Sequence, residues 1–297
     1  METILKVENI IKTYGNLHAV NNLSFTVQKG DIFGILGPNG SGKTTTLSII
    51  LGIVKQDSGS FQWFQNNQNI LENKKIGSLI EQPNFYPYLS LTDNLKIVAE
   101  IKQISNKTEE IDRVLKLVNL FDRQKSKFNS LSLGMKQRLA LAALLLGDPE
   151  ILILDEPTNG LDPKGIAEVR EIIISEAKKG KTIILASHIL DEVEKVCSHV
   201  AILQKGKLIK QAKINEIVKT EKIVIISCED ISSLHTSLTK SDICKKAEII
   251  NNEIHVVLQD NLEPQDLNKY AFENGFILTK FEIKKNTLEE QFLQIIK

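Results

Sequence analysis

The sequence lacks most of the features that would set it apart from ordinary globular chains. Only three of its 297 residues are cysteines, Cys197, Cys228 and Cys244, an odd number at irregular spacing. Neither a disulfide framework nor a zinc site is built that way, so free thiols in a reducing compartment are expected. Long apolar runs are also missing. The longest, such as residues 139–147, reach about ten residues, where a membrane-spanning helix needs about 20. The opening METILKVENIIK has no apolar core of signal-peptide type. No charge of one sign dominates: 37 Lys and Arg balance 37 Asp and Glu. That balance removes any general attraction to nucleic acid or anionic lipid. With 42% hydrophobic and 25% charged residues, the composition is that of a soluble globular chain. At about 150 residues per domain, the length suits two domains.

The patterning changes along the chain. Up to about residue 30, ILKVENI and AVNNLSFTV alternate apolar and polar residues around a turn at Gly15 and Asn16, which predicts strands with one solvated face. DIFGIL (Asp31 to Leu36) predicts a strand buried on both faces, followed by GPNGSGKTTTL and a helix over Thr45 to Leu51. From about 90 to 146 the period is helical, with an N-cap expected at Thr92 and Asp93, a helix over Ile111 to Phe121, and another after Ser132. Ile151 to Leu154 and Thr182 to Ala186 are further buried strands, and Pro163 to Lys178 is a helix between them. Strand and helix in alternation predict a parallel sheet with crossover helices. From about 211 the character differs. IVIISCED, EIHVVLQD and FILTKFEIK suggest strands, LEPQDLNKYAFENG and LEEQFLQIIK suggest helices, and no linker of low complexity intervenes. Residues 216–297 are therefore expected to form a small α+β module after a first domain over 1–215, with no second active site.

Gly37-Pro38-Asn39-Gly40-Ser41-Gly42-Lys43-Thr44 fits the phosphate-loop pattern G-x-x-x-x-G-K-[ST]. Glycines let the backbone curl until successive N–H groups point at phosphate oxygens. The following helix presents its positive end to the same anion. Lys43 adds a charge for the β- and γ-phosphates, and the Thr44 hydroxyl suits Mg²⁺. Thr45 belongs to the same helix start. In Ile151-Leu-Ile-Leu-Asp155-Glu156 a carboxylate ends a buried strand. Asp155 there can hold Mg²⁺, and Glu156 can polarise an attacking water. Read alone, the pair would be a turn acid or a helix cap; the phosphate loop decides against that.

Carrying these motifs, the chain resembles the nucleotide-binding subunit of an ABC (ATP-binding cassette) transporter, over roughly residues 3 to 215. The resemblance implies an α/β fold: a parallel-sheet core, an antiparallel β subdomain and a helical subdomain at about 90–146. The family signature LSGGQ reads LSLGM here, with Leu133 in place of a glycine and Met135 in place of a glutamine. Ser132 and Gly134 are kept, and the resemblance implies that they meet the γ-phosphate bound by the opposite subunit. It implies that Tyr14 stacks on adenine, and that Gln82 contacts Mg²⁺ and the water. Asn159, Gly160, Leu161 and Asp162 would cross the dimer interface, and His188 would contact the γ-phosphate. His18, His199, His235 and His255 match nothing and receive no catalytic role. The cluster Phe85, Tyr86, Pro87, Tyr88 and Leu89 suits either the core or a contact with a membrane subunit.

The implied function is an ATP-binding, ATP-hydrolysing subunit with Mg²⁺ as cofactor. Two copies would close on two ATP molecules and drive a separate transmembrane permease. NFYPYLSLTDNL, LSLGMKQRLALA and the ending TLEEQFL are similar to subunits of peptide-antibiotic exporters, those of bacitracin resistance and lantibiotic immunity. The chain would then be cytoplasmic, peripheral on the inner face of the membrane through the permease, without nucleic-acid partners. A soluble ABC-type ATPase without a membrane partner is the alternative. One phosphate loop, no sustained heptads and no zinc spacing weigh against it. A third reading makes ATP only the glue of an assembly.

Overall fold

The computed structural model describes residues 2–63, 76–80, 84–217, 223–259, 261–284, 288 and 292. It divides into two compact units, one ending at Ile214 and one beginning at Asn215. The first opens with β1 (Thr3–Tyr14) and β2 (Leu17–Gln28), paired antiparallel. Along β2 Leu23, Phe25 and Val27 are buried while Ser24 and Thr26 between them are only partly so, as strand alternation requires. Then follow β3 (Ile32–Leu36), α1 (Lys43–Ile50), β4 (Ser58–Trp63), which joins the edge of β1, and β5 (Ile76–Leu79). Next come α2 (Leu91–Ile101), α3 (Lys107–Leu117) and α4 (Leu133–Leu145). The unit continues through β6 (Ile151–Asp155), α5 (Pro163–Lys178), β7 (Thr182–Ser187), α6 (Leu190–Val196), β8 (His199–Gln204) and β9 (Lys207–Lys213). A short helix, α7 (Ile214–Ile217), follows.

Six strands form the main sheet in the order β5-β6-β7-β3-β8-β9. All pairs are parallel except β8 with β9. Its central strands β6 and β7 are buried at every residue, which is what apolar runs without alternation specify when helices cover both faces. The three-stranded sheet β2-β1-β4 shares one core with it, including Phe25 stacked on Phe33 at 5.5 Å.

Several helix boundaries differ from the sequence expectation: α1 begins at Lys43 rather than Thr45 and α3 at Lys107 rather than Ile111. The N-cap of α2 is Ser90, not Thr92 or Asp93. Its hydroxyl accepts a hydrogen bond from Asp93 N at 3.0 Å and donates one to Asp93 Oδ2 at 2.6 Å, a reciprocal cap that puts Asp93 in the first turn. The helix expected to reach Phe121 stops at Leu117 because Asn119 turns left-handed, with φ 55°.

The second unit runs β10 (Ile223–Cys228), α8 (Ile231–Thr239), β11 (Cys244–Ile250), β12 (Glu253–Leu258), α9 (Pro264–Glu273) and β13 (Leu278–Lys284). Its strands make one antiparallel sheet in the order β11-β12-β10-β13, a β-α-β-β-α-β arrangement. Val224, Ile226, Ile254 and Val256 pack against Leu234, Leu238, Leu267 and Ala271 of the helices. The terminal helix expected over LEEQFLQIIK lies largely outside the described residues.

One half-buried charge ties the helical layer together. Lys102, just after α2, donates from Nζ to the carbonyls of Ala143 and Leu144, both at 2.9 Å, and of Leu146 at 3.1 Å. These are end carbonyls of α4 that no helical N–H reaches. Burial pushes the ammonium down to about 8, so it stays mostly charged at neutral pH. Replacing it by an apolar side chain strands those acceptors. Lys102→Met is expected to cost about 2 kcal/mol of stability, read as a lower urea midpoint by circular dichroism; an unchanged midpoint would contradict this.

Candidate functional site

The register of the main sheet brings three loops together. Leu36 of β3 pairs with Ser187 of β7, and Ala186 of β7 with Asp155 of β6. The residues that follow these strand ends, Gly37, His188 and Glu156, therefore emerge side by side at the carboxyl edge. That edge is where open parallel sheets bind ligands.

Gly37 starts a loop that no larger residue could make. A Cβ there would lie 2.4 Å from Leu203 O and 2.5 Å from Ser41 Oγ. At Gly42, with φ +100°, a Cβ would lie 2.3 Å from Ala19 O. The loop is pinned from outside as well: Gly206 N donates to Ser41 O at 3.1 Å, and Asn21 N to Gly206 O at 2.8 Å. Gly42 is also the N-cap of α1, with no side-chain cap and no acid in the first turn. The first amides of α1 are thus left to an external acceptor.

Lys43 is the electrostatic centre. Only 6% exposed, it donates from Nζ to Gly37 O at 2.8 Å and Pro38 O at 3.3 Å. It also pairs with Glu156 Oε1 at 3.3 Å. The other oxygen of Glu156 lies 2.8 Å from His188 Nδ1, and Glu156 N donates to Ala186 O at 2.9 Å. Glu156 holds φ at 47°, a left-handed conformation that costs a non-glycine residue of order 1 kcal/mol and marks functional sites. Asp155, at the end of β6, is buried, and Thr44 is exposed at the start of α1 beside Thr45.

The loop suits a polyphosphate and its metal. A buried ammonium, uncapped helical amides and the Ser41 hydroxyl, buried without a hydrogen-bond partner among the described residues, are donors for phosphate oxygens. Thr44 and Asp155 offer hard oxygen donors of the kind that Mg²⁺ takes. Asn39 and Gly40 lie exposed at the tip of the loop beside Pro38.

The remaining expected residues fall into two places. Tyr14, at the end of β1, is half-exposed, with Lys12 Nζ 5.4 Å from its ring centre. Ser132 and Asp162 cap helices: Ser132 Oγ accepts from Met135 N at 3.3 Å, and Asp162 Oδ1 from Gly165 N at 2.9 Å. With Leu133, Gly134, Gly160 and Glu168 they line a recess of about 370 Å³ that holds no phosphate-loop residue. Gln82 lies outside the described residues.

Sequence reading missed Arg138. It is buried, donates from Nη1 to Val118 O at 3.0 Å, and pairs through Nε with Glu168 at 3.3 Å. Lying in the polar lead-in MKQR before LALAALLL, that arginine carried no signal of its burial.

Comparisons with known proteins bear on the family. The family model described as ABC transporter matches residues 20–159. The bacitracin transport ATP-binding protein BcrA of Bacillus licheniformis is 39% identical, over 100% of this chain and 98% of its own length. The lantibiotic transport ATP-binding protein SrtF of Streptococcus pyogenes is 43% identical over 69% of this chain and 89% of its own. Among solved structures, cbiO1 from Clostridium perfringens, part of an ABC transporter complex, is 30% identical with a TM-score of 0.66, over 73% of this chain and 91% of that one. A dimeric, post-hydrolysis ATP-binding cassette bound to ADP and Pi is 26% identical with a TM-score of 0.63, over 71% and 99%. The parallel sheet carrying the phosphate loop, the helical layer and the full-length likeness point the same way: this chain belongs to the ATP-binding proteins of ABC transporters and is an ATPase of that family.

Proposed function

We propose that two copies of this chain bind two ATP molecules head to tail and drive a separate permease that exports a peptide antibiotic. The linkage from Lys43 through Glu156 to His188 carries the catalytic part of this reading. In it, Lys43 and the amides of the loop hold the β- and γ-phosphates. Thr44 and Asp155 hold Mg²⁺, which neutralises charge on the phosphates when bound. Glu156 turns a water toward the γ-phosphate or takes its proton. His188, 2.8 Å from that carboxylate, orients it and contacts the γ-phosphate. Gln82 is assigned to the metal and the water by resemblance alone, and Tyr14 to the adenine. Ser132, Gly134 and Asp162 face the ATP held by the other copy. The work of such a site is positioning and electrostatics.

The permease contact is assigned to Tyr86 and Tyr88. Their rings are 49% and 64% exposed and 5.9 Å apart. The backbone beneath is fixed by Asn94, which accepts from Tyr86 N at 2.8 Å and donates to Tyr86 O at 3.1 Å. Exposed aromatics on a pinned backbone are suited to receive a partner helix. Among the described residues no helix is long and apolar enough to cross a membrane, so the permease is what would hold the chain at the inner face. The antibiotic substrate is supported by the full-length similarity to the bacitracin transport protein.

Glu156→Gln is expected to bind ATP but to lose at least about 100-fold in turnover. Tagged and incubated with ATP and Mg²⁺, it should retain a multi-span membrane protein from detergent-solubilised membranes. Near-normal phosphate release would overturn the role of Glu156. Ribosomal or DNA-bound partners, with the dimer formed, would instead favour a soluble ATPase. Lys43→Ala should weaken nucleotide binding by about tenfold or more in a fluorescent-nucleotide titration, while circular dichroism stays native; unchanged affinity would remove the phosphate role of Lys43.

A further inference from the structure

Leu133 is an unusual occupant of the recess beside Ser132 and Gly134. It is the first residue of α4, and it is 46% exposed despite being apolar. Its contact is with the loop after β6: a Cβ on Gly160 would lie 3.4 Å from Leu133 Cδ2. That loop is short and wound. Asn159 N donates to Glu156 O at 3.1 Å, Leu161 N to Thr158 O at 3.3 Å, and Thr158 is buried. Gly160 thus stands at one end of a run of turns whose other end is Glu156. The Glu156 carboxylate at that other end lies within reach of Lys43 and His188.

Leu133 is itself held in place. Gly134 packs toward Gly165 of α5, where a Cβ on Gly134 would lie 3.9 Å from Gly165 Cα. One turn on, the Arg138–Glu168 ion pair joins the same two helices. Arg138 is anchored in turn to the end of α3 through Val118 O. The first turns of α4 and α5 are therefore fixed together, and Leu133 meets Gly160 from a rigid base.

We propose that Leu133 is a positioning residue for Glu156 of its own chain, acting through Gly160 and the turns between them. The proposal rests on the dimeric ATPase reading above and adds a residue to it. In a head-to-tail dimer Leu133 also lies near the other copy's nucleotide, so the test must separate the two sides.

Mixed dimers do so. Two differently tagged full-length copies are purified together, one with Glu156 intact and one with Glu156→Gln, so that one site dominates turnover. Leu133→Ala placed in the copy that keeps Glu156 is expected to lower kcat about tenfold, with KM for ATP changed by less than about twofold, the pattern of a lost transition-state interaction. Leu133→Met in that copy should restore turnover, since it still reaches Gly160. Leu133→Ala placed instead in the Glu156→Gln copy should lower kcat by a clearly smaller factor, below about threefold. Loss confined to the second arrangement, equal loss in both, or loss in neither would overturn the proposal. The underlying reading is tested separately, by turnover of the unmodified homodimer and its abolition by Glu156→Gln in both copies.

Discussion

The site depends on backbone approaching backbone with no side chain between. Gly37 lies against Leu203 O, and Gly42 against Ala19 O, at separations a methyl group could not survive. Those carbonyls belong to β8 and β2, so the phosphate loop is clamped between the parallel sheet and the antiparallel one. The amides of the loop owe their direction to that clamp. A loop of the same glycine content without it would lose its curl to conformational entropy. The clamp explains why two sheets share one core: the antiparallel hairpin is the outer wall of the loop that starts from β3.

Charge is arranged around that rigid frame. Lys43 satisfies itself on Gly37 O and Pro38 O and on Glu156, and Glu156 reaches His188. A buried ammonium needs such partners, because an unpaired one would cost several kcal/mol. Each of the three residues follows a different strand of the adjacent set β6-β7-β3, so the linkage depends on those strands lying side by side. A register slip of one residue would turn every side chain of the slipped strand to the other face. The strained backbone at Glu156 persists because its amide is tied to Ala186 O within that same register.

Much of the frame was legible in the sequence because it is written in local chemistry. DIFGIL and ILILD are apolar without alternation and became buried parallel strands; the loop glycines lie where their missing Cβ atoms are needed. What was not legible was decided by partners far away in the chain. β4, β5, β9 and β11 are short or exposed segments that become strands by joining an edge, and nothing in their own pattern announces it. The cap of α2 was misplaced because Ser, Thr and Asp within four residues all suit the role, and only the reciprocal bond between Ser90 and Asp93 selects one. Sequence motifs supplied Lys43 and Glu156 and the family resemblance supplied His188, but neither gave the contacts of Glu156 with both of the others.

The orientation of α4 shows how polar groups can settle what apolar packing leaves open. From Leu139 to Leu145 its residues are buried on nearly every side except at Ala143, so hydrophobic burial alone fixes neither its rotation nor its height. Three polar anchors do. Ser132 caps its start, Arg138 ties its first half to α3 and α5, and Lys102 takes the carbonyls at its end. Each is directional, whereas the methyl groups between them are not. With both ends and the middle fixed, the first position of the helix is set at the recess, beside Gly160. A helix held by apolar contacts alone would be free to turn by a residue, and Leu133 would then no longer meet the loop that carries Glu156.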